Sequence, residues 1–408
     1  MFISFLNLEG RNRSVEWQHY KRRIMKIAVF FHDCEIASGA TASMFTLVEN
    51  WHHIEGVEIV AYASHEGTLF DKLRMMGIKC KLYSSINTRY NKGRNVIHQM
   101  MVRAYSLAKV PGFERYVKNT LVRELKEEGI DLVYANTSAC VVGYYIRKHS
   151  EIPLVWHVRE FGDLDQNVSY VGGKRQLFKM LGKSDLLVFI SKAIAQYYES
   201  AAKKTSSIIV YNDLSANYDK YQEKDFSRHP LRLLSCGALN PGKGHLDVIK
   251  AVGIARGRGC DVELNIAGRG DIYLHLYTTL IKELRLDNYV HFLGQVKEMA
   301  SVRKNSEVGV VASRMEAFGR VTVEGMLAGL VMIGANTGGT AELIENGRTG
   351  LSFQAGNVEE LANCIESLYN APQRAARMAE EGYRFSKQFI EGNCARAIFE
   401  QLKKIVDE

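Results

Sequence analysis

The sequence lacks the features that mark several specialised classes of protein. Only five prolines occur in 408 residues, and no segment is low-complexity or repeats at the period of a solenoid. No apolar run reaches the roughly 18–20 residues that cross a bilayer, and the longest, residues 186–190, has the length of a strand. The seven cysteines are scattered, odd in number and without metal-ligand spacing. They argue for a reducing compartment and against a disulfide framework or a zinc site.

The first 24 residues do not have the pattern of a folded domain or of a signal peptide. They begin apolar and then turn polar and basic, whereas a signal peptide places its basic residues first. Residues 25–31 show the pattern of a buried first strand. We therefore expect residues 1–24 to be an extension, either a mis-assigned start or a short flexible segment.

Apolar, β-branched runs alternate with helical patterns along the rest of the chain. This alternation predicts βαβ units around parallel sheets, and the chain length suits two domains. The expected fold class is α/β, with two doubly wound, Rossmann-like domains that face a central cleft. The expected boundaries are a first domain at 25–215, a linker at 216–230, a second domain at 231–394 and a C-terminal helix at 395–408 that crosses back to the first domain. Within the domains, we expect strands at 262–267 and 308–311 and helices at 116–128 and 138–149.

Positive charge is concentrated in the first half of the chain. Through Ser215 there are 29 Lys and Arg against 21 Asp and Glu, a net charge of +8, and the remainder has 24 of each. Residues 72–113 contain no acidic residue but nine basic ones, which are Lys72, Arg74, Lys79, Lys81, Arg89, Lys92, Arg94, Arg103 and Lys109. Apolar residues lie among them near helical spacing, which is typical of an element that binds an anionic membrane surface. The alternative is a solvated helix with a chance excess of charge. Nucleic acid is disfavoured, because stacking aromatics and a known motif are missing.

The most informative stretch, residues 313–326, sets two carboxylates eight positions apart. Glu316 lies in a small-residue loop, and Glu324 lies in an apolar helical run. Such a pair can bind two hydroxyl-bearing parts of one ligand, while N–H groups at the helix start stabilise an anion between them. A sugar, a ribose and a connecting diphosphate would fit this arrangement. The alternative is that Glu316 is a helix-start acid and Glu324 lies on a solvated face.

Glycine-rich turns at residues 336–342 and 346–350 follow this stretch. Together, residues 316–350 resemble the donor-binding signature of the retaining glycosyltransferases of family 4, which have the GT-B fold. The resemblance extends over nearly the whole chain from Met25. It implies that the first domain binds an acceptor and the second a nucleotide diphosphate sugar. It also implies that Glu316 contacts the transferred sugar and Glu324 the ribose hydroxyls, with Phe318 and Gly319 also in the donor site.

Another turn, residues 236–245, follows a strand and opens a helix. Its glycines let the backbone approach a ligand, and Lys243 supplies a cation for the charge that grows on a departing diphosphate. The family commonly has an arginine where this chain has Ala238, and we expect Arg320 to supply the missing charge. The alternative for Lys243 is a surface lysine in a turn.

Three further glycines complete the expected donor site. Gly268 follows a strand in a Gly-x-Gly turn, and Gly294 lies in a turn that resembles the family's base-contacting segment. Gly39 belongs to a small-residue loop of the first domain that the resemblance places opposite the donor phosphate or sugar. A plain helix-start turn is the alternative for Gly39.

The ends of two first-domain strands supply the expected acceptor side. His157 follows an apolar strand, with Arg159 and Glu160 beside it, and Asn136 follows the preceding strand. A lone histidine is more often structural, but family members often have one here that contacts the sugar near the reacting centre. The predicted catalytic residues are therefore His157, Glu316 and Lys243. The predicted acceptor-side residues are Asn136, Arg159 and Glu160.

The resemblance implies a retaining glycosyltransferase that needs no metal or other cofactor. The only Asp-x-Asp triplet, residues 163–165, lies in the acceptor domain and is better interpreted as a polar loop. In the expected front-face mechanism, the leaving diphosphate accepts the acceptor's proton. The expected acceptor is a bacterial surface polysaccharide or a lipid-linked oligosaccharide, reached from the cytoplasm at the inner face of the membrane.

Two other classes remain open on the sequence alone. A nucleotide-sugar epimerase or a phosphorylase could share the fold, but no acid–base pair is placed for the first and the chain is short for the second. A non-catalytic GT-B subunit that partners an active transferase is favoured only by Ala238. Intact Lys243, Glu316 and Glu324 argue against such a subunit.

Overall fold

The computed structural model describes residues 24–36, 38–92, 95–203 and 205–407. The expected N-terminal extension, except Ile24, and Arg94 of the basic stretch therefore lie outside the described residues. Two α/β domains and a returning C-terminal helix make up the described part of the chain.

The first domain is built on a parallel sheet of seven strands. The strands of this domain in chain order are β1 (Met25–Phe30), β2 (Val57–Ala63), β3 (Lys79–Leu82), β4 (Arg89–Asn91), β5 (Leu132–Asn136), β6 (Leu154–Val158), β7 (Val168–Tyr170), β8 (Leu186–Phe189) and β9 (Ser206–Ile209). The sheet order is β3-β2-β1-β5-β6-β8-β9, while β4 and β7 pair antiparallel outside it. Residues 27–30 of β1 are fully buried, as expected for a central strand that is covered on both faces.

Helices pack on both faces of this sheet. They are α1 (Gly39–His52), α2 (Thr68–Met75), α3 (Val96–Tyr116), α4 (Val122–Glu127), α5 (Val142–His149), α6 (Lys174–Leu181), α7 (Lys192–Tyr197) and α8 (Glu199–Ala202). Successive residues of β1 point to opposite faces. Ile27 and Val29 therefore pack with α1 and α2, whereas Ala28 and Phe30 pack with α4, α5 and α6.

The second domain repeats this architecture with six parallel strands. They are β10 (Leu231–Cys236), β11 (Val262–Ala267), β12 (Val290–Gly294), β13 (Val308–Val311), β14 (Val331–Ala335) and β15 (Gly350–Phe353), in the sheet order β12-β11-β10-β13-β14-β15. Its helices are α9 (His245–Gly257), α10 (Asp271–Glu283), α11 (Met299–Lys304), α12 (Arg320–Leu327), α13 (Thr340–Leu343), α14 (Val358–Asn370) and α15 (Pro372–Ser386). Short 3₁₀ turns occur at Ala216–Tyr218, Pro241–Lys243 and Lys387–Ile390.

The last helix, α16 (Asn393–Asp407), returns to the first domain. Ile398 and Leu402 are fully buried among residues of α1 and β1. The Trp51 indole donates to the carbonyl of Ala395 at 3.0 Å. Asp213 accepts from the first backbone N–H groups of α16, where a carboxylate stabilises a helix start. The second domain is thus joined to the first at both of its ends.

Aromatic and polar contacts also join the two domains. Phe318, at 3% exposure, packs against Tyr211 and Phe389 with ring centroids 6.1 and 5.8 Å apart. The Glu342 carboxylate of α13 accepts from the backbone N–H groups of Lys192 and Ala193 at 2.9 and 2.8 Å and from the Tyr211 hydroxyl at 2.8 Å. Glu342 therefore caps α7 of the other domain.

Both sheets are doubly wound, which confirms the predicted fold class. In each, the strand order reverses beside the first strand, between β1 and β5 and between β10 and β13. Ligands of such sheets bind outside the carboxyl ends of the strands at this switch point. The turns that follow these four strands are therefore the place to look for a site. Among the described residues, no helix combines the length and the apolar character needed to cross a membrane.

Candidate active site

The turn after β10 positions Lys243. Gly244, in the left-handed region at φ +70°, ends this turn and begins α9, and a Cβ there would lie 2.0 Å from the carbonyl oxygen of Ala312. The turns that follow β10 and β13 can therefore lie this close together only if residue 244 is glycine. Lys243 Nζ donates to Glu316 Oε1 at 2.5 Å, and the two side chains are 30% and 20% exposed. The first predicted pair is thus in direct contact.

The glycine turns after β10, β11 and β12 lie side by side. Gly237 N donates to the carbonyl of Ala267, and Gly268 N donates to that of Gly294. A Cβ at Gly268 would lie 1.7 Å from the carbonyl oxygen of Gly237, so this close approach requires glycine. Gly268 and Gly294 therefore extend the surface that begins at the Lys243 turn. Ala238 is exposed on this surface and adds no charge.

The loop between β13 and α12 fixes Glu316. Its Oε1 also accepts from Ser313 Oγ at 2.7 Å, and its carbonyl accepts from Gly339 N at 2.7 Å. Gly319, at φ +99°, then begins α12. Glu316 is thus a loop residue held by a hydroxyl and an ammonium group, rather than a helix-start acid.

Glu324 lies one turn into α12 and is buried. Arg303 of α11 pairs with its Oε2, and Arg320 Nη2 lies 3.3 Å from its Oε1. Because the side chain is 10% exposed, the alternative of a solvated helix face is wrong. Arg303 was missed by sequence reasoning, since no motif surrounds it.

Arg320 links the second domain to the first. Its Nη1 donates to Ser43 Oγ of α1 at 2.9 Å, and its Cδ would lie 3.8 Å from a Cβ added to Gly39. Its Nη2 donates to Tyr218 of the linker at 3.4 Å. The Gly39 loop and the start of α12, one from each domain, therefore meet across the cleft.

His157 ends β6 and is fully buried. Its Nδ1 lies 3.0 Å from Arg159 Nη2 and 2.8 Å from the Tyr134 hydroxyl. Burial first, and then the charge of Arg159, holds the pKa of His157 well below its usual value. Because a guanidinium only donates, Nδ1 accepts and the proton of the neutral ring lies on Nε2. That N–H is buried and has no partner among the described residues.

Arg159 connects His157 to the end of the neighbouring strand. Its Nε donates to Asn136 Oδ1 at 2.7 Å, and its Nη1 donates to Asn212 Oδ1. Burial lowers the pKa of Arg159. The Arg159 side chain is 5% exposed and contacts protein groups. It is therefore placed to orient His157 and Asn136.

Glu160 faces the loop after β5. Its Oε1 accepts from Ser138 N at 2.8 Å and Ser138 Oγ at 2.6 Å, whereas its buried Oε2 has no hydrogen bond within the described structure. Arg89 of β4 lies 3.5 Å from Oε1. Burial lowers the pKa of the nearby His32, whose Nδ1 is also buried and unpartnered among the described residues. Arg89 and His32 were not among the predicted site residues.

One residue of the predicted donor site, Phe318, lies elsewhere, and the Asp163–Asp165 triplet forms the polar loop expected from the sequence. The Phe318 side chain lies in the aromatic contact between the domains rather than beside Lys243. Asp163 pairs with Lys174 at 2.8 Å, and Asp165 accepts from Gly162 N at 2.7 Å, so both belong to a polar loop of the first domain. Burial raises the pKa of Asp165 to about 6. Among the described residues, no three His, Cys, Asp or Glu side chains cluster to hold a metal ion.

The basic stretch at 72–113 does not form one element. It is divided among α2, β3, β4 and α3. Several of its charges are paired with carboxylates, as in Arg74–Glu66 and Lys81–Glu124. Met75 of α2 and Leu82 of β3 are exposed apolar residues of this stretch. Six more lie on α3 at 43–70% exposure and are Val96, Ile97, Met100, Met101, Tyr105 and Leu107.

Comparison with known proteins points to one class of enzyme. Residues 219–385 match the family model described as glycosyl transferases group 1. The chain is 29% identical over 287 residues to the uncharacterized glycosyltransferase MJ1178 of Methanocaldococcus jannaschii, covering 68% of this chain and 77% of that protein. It is 28% identical over 171 residues to the putative glycosyltransferase EpsD of Bacillus subtilis, covering 42% of this chain and 43% of EpsD.

A solved structure matches along almost the whole chain. Anabaena HepE, in complex with UDP, superimposes with a TM-score of 0.74 at 21% identity and covers 93% of this chain and 100% of HepE. HepE has also been solved with UDP-glucose, with a TM-score of 0.72. The family match spans the domain that holds Lys243, Glu316 and Glu324, and the fold match spans both domains. The chain is therefore a glycosyltransferase with the GT-B fold, and its residues 219–385 match the model of the glycosyl transferases group 1.

Proposed function

We propose that this enzyme transfers a sugar from a nucleotide diphosphate sugar to an acceptor hydroxyl with retention of the anomeric configuration. The observation that carries this proposal is the contact between Lys243 and Glu316 at the switch point of the second domain. When a donor binds, its diphosphate would replace the carboxylate beside the Lys243 ammonium. A sugar hydroxyl would replace the ammonium beside the Glu316 carboxylate. The UDP and UDP-glucose in HepE make UDP-sugars the first donors to test.

The leaving diphosphate would be stabilised by fixed positive groups. Lys243 and the N–H groups of the first turn of α12 lie on the same side of the sheet as Glu316. Arg320 is the first residue of α12, and its contact with Glu324 is long enough, at 3.3 Å, to be exchanged for a phosphate oxygen. Arg320 would thus supply the charge that Ala238 does not. Glu324, still held by Arg303, would then accept from the ribose hydroxyls.

His157 would act by hydrogen bonding rather than by ionising. Its neutral ring presents an unpartnered Nε2–H, a donor suited to a sugar oxygen near the reacting carbon. In the proposed front-face displacement, the acceptor oxygen bonds to the anomeric carbon on the face from which the diphosphate leaves. The acceptor proton passes to the departing diphosphate oxygen, so no protein base is required. Lys243, Arg320 and helix N–H groups would provide this stabilisation without a metal ion.

The acceptor is proposed to be a growing surface polysaccharide or a lipid-linked oligosaccharide, reached on the cytoplasmic side of the membrane. The net charge of +8 through Ser215 and the exposed apolar residues of α3 support attachment of the first domain to an anionic membrane surface.

The test has two stages. Thermal unfolding is measured against UDP-, GDP-, ADP- and dTDP-sugars, where a ligand at about 100 times its Kd stabilises by roughly 2.7 kcal/mol. Transfer from the responding donor to free and lipid-linked sugars is then followed by NMR, with and without EDTA. Binding of one donor class and a product of unchanged anomeric configuration are expected. No response from any donor, an inverted product, or activity lost to EDTA and restored by Mg²⁺ would each overturn the corresponding part of the proposal.

A further inference from the structure

A cavity of about 240 Å³ opens in the first domain beside the short β4–β7 sheet. Its charged lining residues are Lys92, Arg103, Lys174 and Asp163. Lys174 Nζ lies 2.8 Å and Lys92 Nζ 3.8 Å from Asp163 Oδ2, and the Tyr197 hydroxyl donates to Asp163 Oδ1. Three positive charges against one negative charge leave the cavity at +2, and its single carboxylate already has its partners. The cavity therefore suits an anionic group.

An apolar recess of about 50 Å³ adjoins this cavity and shares Tyr170 and Gly173 with it. Its apolar lining includes Leu107, Val110 and Leu177. Helix α3 lines both spaces, because Arg103 faces the charged cavity and Leu107, one turn later, faces the recess. The other exposed apolar residues of α3 lie on the turns that precede Leu107 in the same helix. A chain that leaves the recess would therefore run along an apolar helix.

Both spaces adjoin the residues expected on the acceptor side. The Tyr170 hydroxyl, from the wall that the two spaces share, lies 3.1 Å from Ser138 Oγ. Ser138 in turn donates to Glu160, whose buried Oε2 has no hydrogen bond among the described residues. Arg89, whose register partner in β7 is Tyr170, lies 3.5 Å from Glu160. One layer of side chains thus separates the cavity from the unpartnered Oε2 of Glu160, which follows β6 and binds the loop after β5.

We propose that the acceptor is an amphiphile whose phosphate or diphosphate group binds Lys92, Arg103 and Lys174 and whose apolar chain follows the recess and α3. This inference rests on the proposed function, since it names the acceptor class of the same transferase. Charge complementarity selects the anionic group, and the adjoining apolar surface selects a lipid over a free phosphate. The acceptor sugar, attached to the phosphate, would extend toward Glu160.

The experiment is calorimetric binding of farnesyl diphosphate in the presence of the nucleotide found in the donor panel, which blocks the donor site. Inorganic diphosphate and farnesol are titrated in parallel. The variant Lys92→Ala/Lys174→Ala removes two cavity cations. The control Lys179→Ala/Lys183→Ala removes the same charge from exposed positions on and after α6. The variant Leu107→Gln tests the recess, and its exposed position spares the fold.

We expect the cavity variant to weaken farnesyl diphosphate binding at least about tenfold, because two charge-assisted contacts are lost, and the control to leave it unchanged. Leu107→Gln should weaken farnesyl diphosphate but not inorganic diphosphate. Equal binding of farnesol, equal binding of inorganic diphosphate, or an unaffected cavity variant would overturn the proposal. Donor binding is measured on the same samples. Its absence from the unmodified enzyme would contradict the proposed function instead.

Discussion

Lys243 and Glu316 form an ion pair that adds little to folding. Both side chains are partly exposed, and such pairs contribute about 0–1 kcal/mol. Yet Gly244 and the loop around Gly339 hold the two groups in fixed positions. The two groups are held in fixed positions although their pairing adds little to stability. Binding of a ligand that contacts both groups explains this better than a role in folding.

Replacing Lys243 by alanine should therefore reduce turnover much more than stability. Loss of one preorganised group that stabilises developing charge lowers kcat by about 10²–10³-fold. Steady-state kinetics with the donor that responds in the thermal-unfolding panel would measure this, and Lys250→Ala, an exposed lysine of α9, is the control. A kcat within threefold of the unmodified enzyme would show that Lys243 is the surface lysine of the alternative interpretation.

His245 gives a pH dependence that can be measured on folding itself. It is 1% exposed beside the Lys243 turn, and burial lowers its pKa to about 4. The unfolded chain, with a pKa near 6.5, binds this proton first, so the stabilisation present above pH 6.5 is lost as the pH falls toward 4. Between pH 7 and pH 5 this residue should cost about 2 kcal/mol of unfolding free energy.

Urea denaturation at pH 7, 6 and 5 would detect this loss. Between pH 7 and pH 5, the unfolding free energy of His245→Gln should fall by about 2 kcal/mol less than that of the unmodified protein. His291→Gln, at an exposed position of β12, should leave the curve unchanged. Parallel curves for the unmodified protein and His245→Gln would mean that His245 takes up no proton on unfolding in this range.

The sequence predicted the contacts between loops that follow adjacent strands of one sheet. It missed the contacts that depend on the relative orientation of distant helices or of the two domains. Lys243 and Glu316 follow adjacent strands, so their proximity follows from the parallel sheet. The contacts of Arg320 with Ser43 and of Glu324 with Arg303 depend on the orientation of a whole domain and of α11. No local motif carries that information.

At the scale of elements, strands were easier to delimit than helices. The expected strands at 262–267 and 308–311 have the observed bounds, because their apolar runs are bordered by turn residues. The helix expected at 116–128 is wrong in its start, since α3 begins at Val96, with Asn95 accepting from His98 N, and leads into a π-helical turn and α4. Pro111-Gly112, inside α3, imitates a helix boundary and led the prediction to start the helix after it. The helix expected at 138–149 begins only at Val142, because Glu160 binds Ser138 in a turn.

The glycine turns give an element-scale prediction. Gly268→Ala should destabilise the second domain by more than about 2 kcal/mol and weaken donor binding, since its Cβ would meet the Gly237 carbonyl at 1.7 Å and neither backbone can yield. Gly257→Ala, in α9, is the matched control because nothing lies within 4 Å of its added Cβ. Thermal unfolding should show no loss for the control, or a small gain from reduced chain entropy. Equal melting temperatures for both variants would refute the interlocked-turn interpretation.

At the scale of the whole molecule, the two domains are held together by contacts of different strength. Helix α16 buries apolar side chains in the first domain and Asp213 caps its start, so this link is a permanent part of the core. The Arg320–Ser43 contact crosses the cleft itself, where a donor would enter. Glu342 lies between these extremes, because it caps α7 of the first domain from a short helix of the second. Burial and the carboxylate raise the pKa of its partner Tyr211, which therefore remains a hydrogen-bond donor.

Glu342→Gln should therefore weaken the contact between the two domains without disrupting either domain. An amide keeps one acceptor but loses the charge that the start of α7 favours, a change of about 1 kcal/mol. Since the proposed donor-binding groups Lys243 and Glu316 lie within the second domain, donor KM should change little. Turnover, which in the proposed mechanism requires the first domain to be in place, should fall about fivefold, as expected when about 1 kcal/mol of contact between the domains is lost. Small-angle scattering should show a larger radius of gyration for the free enzyme.

Glu345→Gln removes the same charge three residues later, from an exposed pair with Arg348, and should match the unmodified enzyme in both measurements. If Glu342→Gln changes neither kcat nor the radius of gyration, the cap on α7 is only a local stabilising contact. The two domains would then be held together by Arg320 and the aromatic contact at Phe318.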